Sequence, residues 1–152
     1  GMTGISFSVT IEVDRDRFGE IMETLADKSP FYQAVGEHLL NRVHDRFEAQ
    51  RAPDGSPWQP LAPVTIAARE KARPGAPLTI LRMWGDFYSS FNIRPSADDV
   101  KIGTAAVQGA LQHFGGQAGR GLKVTIPARP ILGLEADDPE EIMETAKEWL
   151  DL

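Results

Sequence analysis

His44 and Glu48 stand four residues apart in LNRVHDRFEAQ, a spacing that sets two ligands on one helix face and could begin a Zn²⁺ or Mn²⁺ site. Asp45 is adjacent, whereas His38 lies six residues earlier and points to a different face. One reading is a small metal-dependent hydrolase built on His44, Glu48 and a distant His113 or carboxylate. The plainer reading is a solvated polar face, favoured because metal sites need several converging ligands and the nearby sequence has no further histidine.

Other reactive patterns are weaker. Ser89-Ser90 has no nucleophile-elbow setting, and no Gly-x-Ser-x-Gly occurs. Gly115-Gly116-x-x-Gly119-x-Gly121 lacks the Gly-Lys-Ser/Thr ending of a phosphate loop, so a flexible loop is the better reading. His113, just before that loop, reads as a helix-end partner rather than a base. Asp137, Asp138, Glu140 and Glu141 cluster where a helix should start, and capping with the macrodipole accounts for them better than a Ca²⁺ site.

Two residues stand out as anchors rather than as chemistry. Arg129, between Ala128 and Pro130, is a guanidinium on a rigid turn, suited to bidentate contacts as an intrachain lock for the terminal helix or as an intersubunit contact. Trp58 follows the turn Pro53-Asp54-Gly55 and sits on the stiffened backbone of Ser56-Pro57-Trp58-Gln59-Pro60-Leu61. It is expected as a core plug, with an exposed binding anchor as the alternative.

The elements that position these residues can be read in order. Ile5 to Val13 alternates apolar and polar residues and predicts a half-buried strand. Asp14 or Asp16 would cap a helix burying Phe18, Ile21, Met22 and Leu25. Ser29-Pro30 reads as an N-cap followed by proline, opening a long core helix with Phe31, Val35, Leu39, Val43 and Phe47 at intervals of four. Its outer face, with Glu37, Arg42, Asp45, Arg46 and Glu48, reads as solvated surface or a subunit contact.

A short helix is expected from Pro63 or Thr65 to Arg73, and the stretch 52–77 should be the least tightly packed of the first half. Leu78 to Trp84 is apolar and stops at Gly85. Phe87 to Ile93 and Val100 to Gly103 predict a hairpin across Pro95 to Asp99. Thr104 would cap a helix ending at Phe114, followed by the glycine-rich loop and a strand from Lys123 to Ile126. A rigid loop, 128–134, leads to a capping box at Asp138-Pro139-Glu140-Glu141 and a terminal helix burying Ile142, Ala146, Trp149 and Leu150. The fold expected is α+β: one compact domain over 1–152, its long core helix packed on a small, mostly antiparallel sheet, with extended Pro- and Gly-rich loops.

Composition narrows function. The 152 residues carry 16 Lys plus Arg against 22 Asp plus Glu, a net charge of −6, which disfavours phosphate-neutralising binding of nucleic acid over the whole surface. Cysteine is absent, which removes disulfides, thiolate metal sites and cysteine nucleophiles and suits a reducing cytoplasm. No apolar run approaches the roughly 20 residues of a membrane span. Gly1-Met2 reads as a tag-cleavage scar ahead of a native methionine, and no secretory signal follows.

The order of parts around Trp58 resembles the phage virion morphogenesis family, the tail completion proteins of Mu-like and related contractile-tailed phages. In that family an aromatic-ended helix leads to a Pro-Asp-Gly turn, a Trp, a Pro-Leu pair and a Thr opening a basic helix. Here these are Phe47, Pro53-Asp54-Gly55, Trp58, Pro60-Leu61 and Thr65, with Arg69 and Lys71 following. The resemblance continues through Leu81 to Gly85, Phe114-Gly115 and Pro127-Ala-Arg-Pro-Ile-Leu-Gly133. It departs at Trp84, where the family has a small polar residue, and at Gln112-His113, where it has His-Gln.

The resemblance implies a non-enzymatic virion protein with no cofactor, acting in tail completion or head-tail joining. Its partners would be other phage tail or head-tail structural proteins and copies of itself in a ring, assembled in the bacterial host cytoplasm. Structural or interface candidates are Asp54, Gly55, Trp58, Leu61, Phe114, Gly115, Arg129 and Pro130. The alternative is an adaptor or regulatory domain that binds a protein partner through the Trp58 loop.

Overall fold

The interval-of-four stripe becomes the spine of the molecule. In the computed structural model, which describes residues 4–10, 17–25, 27–75, 86–106, 108–118, 121 and 124–150, helix α2 runs Ser29–Ala49 and buries Phe31, Val35, Leu39, Val43 and Phe47. Before it come strand β1 (Ile5–Val9) and helix α1 (Arg17–Thr24). After it come α3 (Pro63–Ala72), α4 (Asp86–Ser89), β2 (Phe91–Pro95), β3 (Val100–Thr104), α5 (Gly109–Phe114), β4 (Gly116–Ala118), β5 (Val124–Ile126) and α6 (Asp138–Trp149). The architecture is α+β. No described helix is long and apolar enough to cross a membrane.

The main sheet has the order β1-β3-β2, both pairings antiparallel, so β3 is central. Val100 and Ile102 of β3 are fully buried, and helix α2 lies against this sheet. Gly36 permits the close approach, because a Cβ there would lie 2.8 Å from Val100 Cγ2. A smaller antiparallel pair, β4 with β5, stands apart.

Several boundaries differ from expectation. The first strand spans Ile5–Val9 rather than reaching Val13; positions 11–16, including both candidate caps of α1, lie outside the described residues. Ser29 is the first residue of α2 rather than its cap, and no side chain caps that end; the Ser29 N–H instead donates to Asp27 Oδ1 at 2.9 Å. The apolar run 78–84 and Gly85 also lie outside the described residues.

Phe87 and Tyr88, expected in a strand, form the short helix α4, and the strand starts at Phe91. A strand would send Phe87 and Tyr88 to opposite faces. The helical turn lets Phe87, Tyr88 and Phe91 all meet Phe47, with ring centroids 5.7, 5.4 and 5.7 Å away. Thr104 belongs to the central strand, paired with Ile5 and Phe91, and does not cap α5. Three residues of the supposedly flexible glycine loop, Gly116–Ala118, form strand β4, registered against β5. Gly115 adopts φ 75° there, with its Cβ position only 2.7 Å from the Ala128 backbone nitrogen, so glycine is required on two counts.

Phe47 joins helix, sheet and Trp58, whose ring centroid lies 5.5 Å away edge-on. Phe47→Ala should cost about 3–5 kcal/mol in urea unfolding, because a cavity opens where several rings meet.

Candidate functional site

The chain reverses after α2 through a Pro-Asp-Gly turn. Gln50 ends the helix in the left-handed region, φ 56°, and its carbonyl accepts the Trp58 N–H at 2.8 Å. Ala52 N–H donates to Ser56 O at 2.8 Å, and Asp54 Oδ1 accepts the Ser56 N–H at 2.9 Å, closing a small hairpin with Gly55 at φ 87°. This geometry returns Trp58 to the core, where it is 3% exposed. Asp54 and Gly55 remain exposed at the turn tip.

Opposite lies the loop 127–134, and the two segments hold each other. The Trp58 indole N–H donates to Pro130 O at 2.8 Å. Arg129, 6% exposed, donates from Nε to Gln59 O at 2.8 Å and from Nη2 to Pro60 O at 3.1 Å. The Arg129 N–H donates to Gln112 O at 2.8 Å, and His113 Nδ1 accepts the Ile131 and Leu132 N–H groups at 3.1 and 3.3 Å. Arg129 is thus an intrachain lock, but on the Trp58 arm rather than on the terminal helix. Burial, and then the charge of Arg69, pulls the Arg129 pKa below its ordinary value. Burial likewise lowers that of His113, which suits an imidazole accepting two N–H bonds at Nδ1.

The terminal helix has its own lock, which the sequence reading missed. Arg46, expected on an outer face, is 4% exposed and donates to Ile131 O at 2.6 Å, Gly133 O at 2.9 Å and Glu135 Oε2 at 3.1 Å. Asp138 is fully buried: Oδ2 accepts the Glu135 N–H at 2.6 Å, Oδ1 lies 2.8 Å from His38 Nε2, and Arg42 Nε is 3.4 Å away. No capping box forms, because Asp138 is already helical and its oxygens go to α2 and to the turn before α6. Arg42 also donates to Asp137 at 2.8 Å, which holds that carboxyl below its usual range.

The histidines are therefore dispersed. His44 stacks on Tyr88 at 4.3 Å, His38 meets Asp138, and His113 is committed to the 131–132 backbone. Among the described residues no group of His and carboxylate side chains converges as a metal site would require. Phe114 is 70% exposed at the end of α5. Leu61 is partly buried and, with Arg69, Gln112, Ile126 and Arg129, lines a groove of about 650 Å³ between the Trp58 arm, α3 and β5.

Arg129→Met should destabilise the fold by about 1–3 kcal/mol, since the part-buried Gln59 and Pro60 carbonyls lose charged donors, with faster hydrogen exchange concentrated at 58–62. His113 supplies a pH test. Its folded pKa is lowered, so its contribution is complete above the ordinary value of 6.5 and is lost as pH falls through the folded value. Wild type should therefore lose more stability than His113→Gln between about pH 7 and 5, in denaturant titrations run at each pH.

Comparison with known proteins fits this architecture. A sequence profile of the phage virion morphogenesis family matches residues 10–151. The chain is 28% identical over 149 residues to the Mu-like prophage FluMu G protein 2 of Haemophilus influenzae, covering 93% of this chain and 97% of that one. It is 24% identical over 146 residues to the putative capsid assembly protein G of Escherichia phage Mu, covering 94% and 93%. No solved structure gives a significant match. A profile match that takes in the α2 spine, both locks and α6 leaves one assignment: the chain belongs to the phage virion morphogenesis family.

Proposed function

We propose that this chain is a non-enzymatic structural protein of the virion, acting in tail completion or head-tail joining. It would work among other tail or head-tail proteins and copies of itself arranged as a ring, assembling in the host cytoplasm and remaining in the particle. The observation that carries this reading is how the buried charges are used. Arg46 and Arg129 bond the protein's own carbonyls, so the groups best suited to chemistry hold loops in place.

Family membership and the Mu protein's name, putative capsid assembly protein G, support the same reading. The locks present stiff loops to a partner, which lowers the entropy lost on binding. A net charge of −6 suits a ring through which DNA passes without sticking. The adaptor alternative is less favoured, because the Trp58 indole is buried and its N–H already bonded. Phe114, Gly115, Asp54 and Gly55 are the surface positions through which contact with virion partners is proposed.

Deleting the gene from an inducible prophage should leave heads and tails that do not mature into infectious particles, seen by electron microscopy of the lysate. Intact virions at normal titre would overturn the reading. Phe114→Ser, at an exposed position, should leave the unfolding midpoint within about 0.5 kcal/mol of wild type while lowering complementation of that deletion.

A further inference from the structure

Helix α3 is out of keeping with the rest of the fold. None of its ten residues is buried, no side chain caps its start, and among the described residues it packs extensively on no other helix or strand. Isolated helices shorter than about 12–15 residues are marginal in water, so a helix this short normally depends on packing. Val64 is 76% and Ile66 38% exposed, beside Ala67 and Ala68.

Its charge is equally distinct. Arg69, Lys71 and Arg73 crowd its end against a single acid, Glu70, in a chain whose net charge is −6. Glu70 Oε1 is also engaged, accepting the Gly75 N–H at 3.2 Å. The groove beside α3 adds Arg129 to Arg69 among apolar walls from Leu61, Pro63 and Ile126. Arg129 commits Nε and Nη2 to Gln59 O and Pro60 O, but its charge together with that of Arg69 makes the groove electropositive and favours an anionic face against it.

The opposite surface occurs on the same chain. Helix α6 buries Ile142 and Ala146, which turns Glu140, Glu141, Glu144 and Glu148 outward. Lys147 is the one base of that helix, 3.9 Å from Glu144. Helix α6 packs on α2 through its buried side, so its acidic side faces outward.

We infer that α3 and its groove dock the acidic outer face of α6 from a second copy of this chain. The contact joins two different surfaces, so it is heterologous and propagates head to tail until the rotation closes a ring. The ring rests on the assembly reading above. The pairing of surfaces rests on charge, on exposed apolar side chains, and on a helix that buries none of its residues among the described part of the chain.

The test is light scattering coupled to size exclusion across protein concentration and salt. Wild type should associate with rising concentration, and association should fall at about 1 M salt, where screening acts over roughly 3 Å. Two charge reversals, R69E/K71E on α3 and E144K/E148K on α6, should each be monomeric with wild-type circular dichroism. Mixing them should restore assembly, since every α3–α6 contact between the two variants is again of opposite charge.

The inference is overturned if wild type is monomeric throughout, if either folded reversal associates like wild type, or if the mixture stays monomeric. Should R69E/K71E lose helix content, E144K/E148K reads the same contact through side chains in solvent, with wild type as partner for its unaltered α3. Restored association only with another virion protein would assign α3 to that partner instead. The prophage deletion reads virion formation whatever the monomer does, so failure of the pairing and failure of the assembly reading give different results.

Discussion

A guanidinium taken out of water must be given acceptors or it costs more than any packing around it returns. Arg46 stands one residue before Phe47, in the last turn of the core helix, and its acceptors come from Ile131, Gly133 and Glu135. That requirement fixes the path of the 131–135 loop against α2. The same loop then delivers Asp138 to His38 and Arg42, and its upstream end carries Arg129 and Pro130 to the Trp58 arm. The segment from Ile131 to Asp138 is thus registered on α2 through polar bonds, while the sheet is registered on it through apolar contact.

The two locks differ in kind. Arg129 and Trp58 exchange bonds between two irregular segments, each of which presents carbonyls that no helix or sheet would satisfy. Proline stiffens both segments, so little backbone freedom remains to be lost when the bonds form. The Arg46 lock instead links a helix to a loop, and beside it the Glu135 N–H, His38 and Arg42 surround the fully buried Asp138 carboxylate. A protein so arranged uses its interior charge for shape.

The parts legible in sequence were those set by local periodicity. The α2 stripe, the alternation of β1, the Pro-Asp-Gly turn and the Trp58 plug follow from residue type and spacing, and all are present. Features set by distant partners were not legible. Arg46 and Asp138 look like surface residues because each lies among other charges, and nothing nearby reveals that Arg46 meets residues 85 to 89 positions away. Phe87 and Tyr88 read as strand from their β-propensity, and only the position of Phe47 decides for a helical turn. The glycines at 115 and 116 read as freedom, whereas close approach of Ala128 makes the first of them a constraint.

The strand order β1-β3-β2 carries a consequence for synthesis. Strands β2 and β3 form a local hairpin, but β1 pairs with β3 in a register that joins Ile5 to Thr104. Ile5, Phe7 and Val9 therefore leave the ribosome long before their partner strand exists, and the loop they close is among the longest in the chain. An apolar segment made well before its partner strand is covered only once that strand exists. Nascent chains thus pass through an interval in which an unpaired, alternating strand is available to neighbours, and the serines between its apolar residues are what keep that strand from being apolar on both faces.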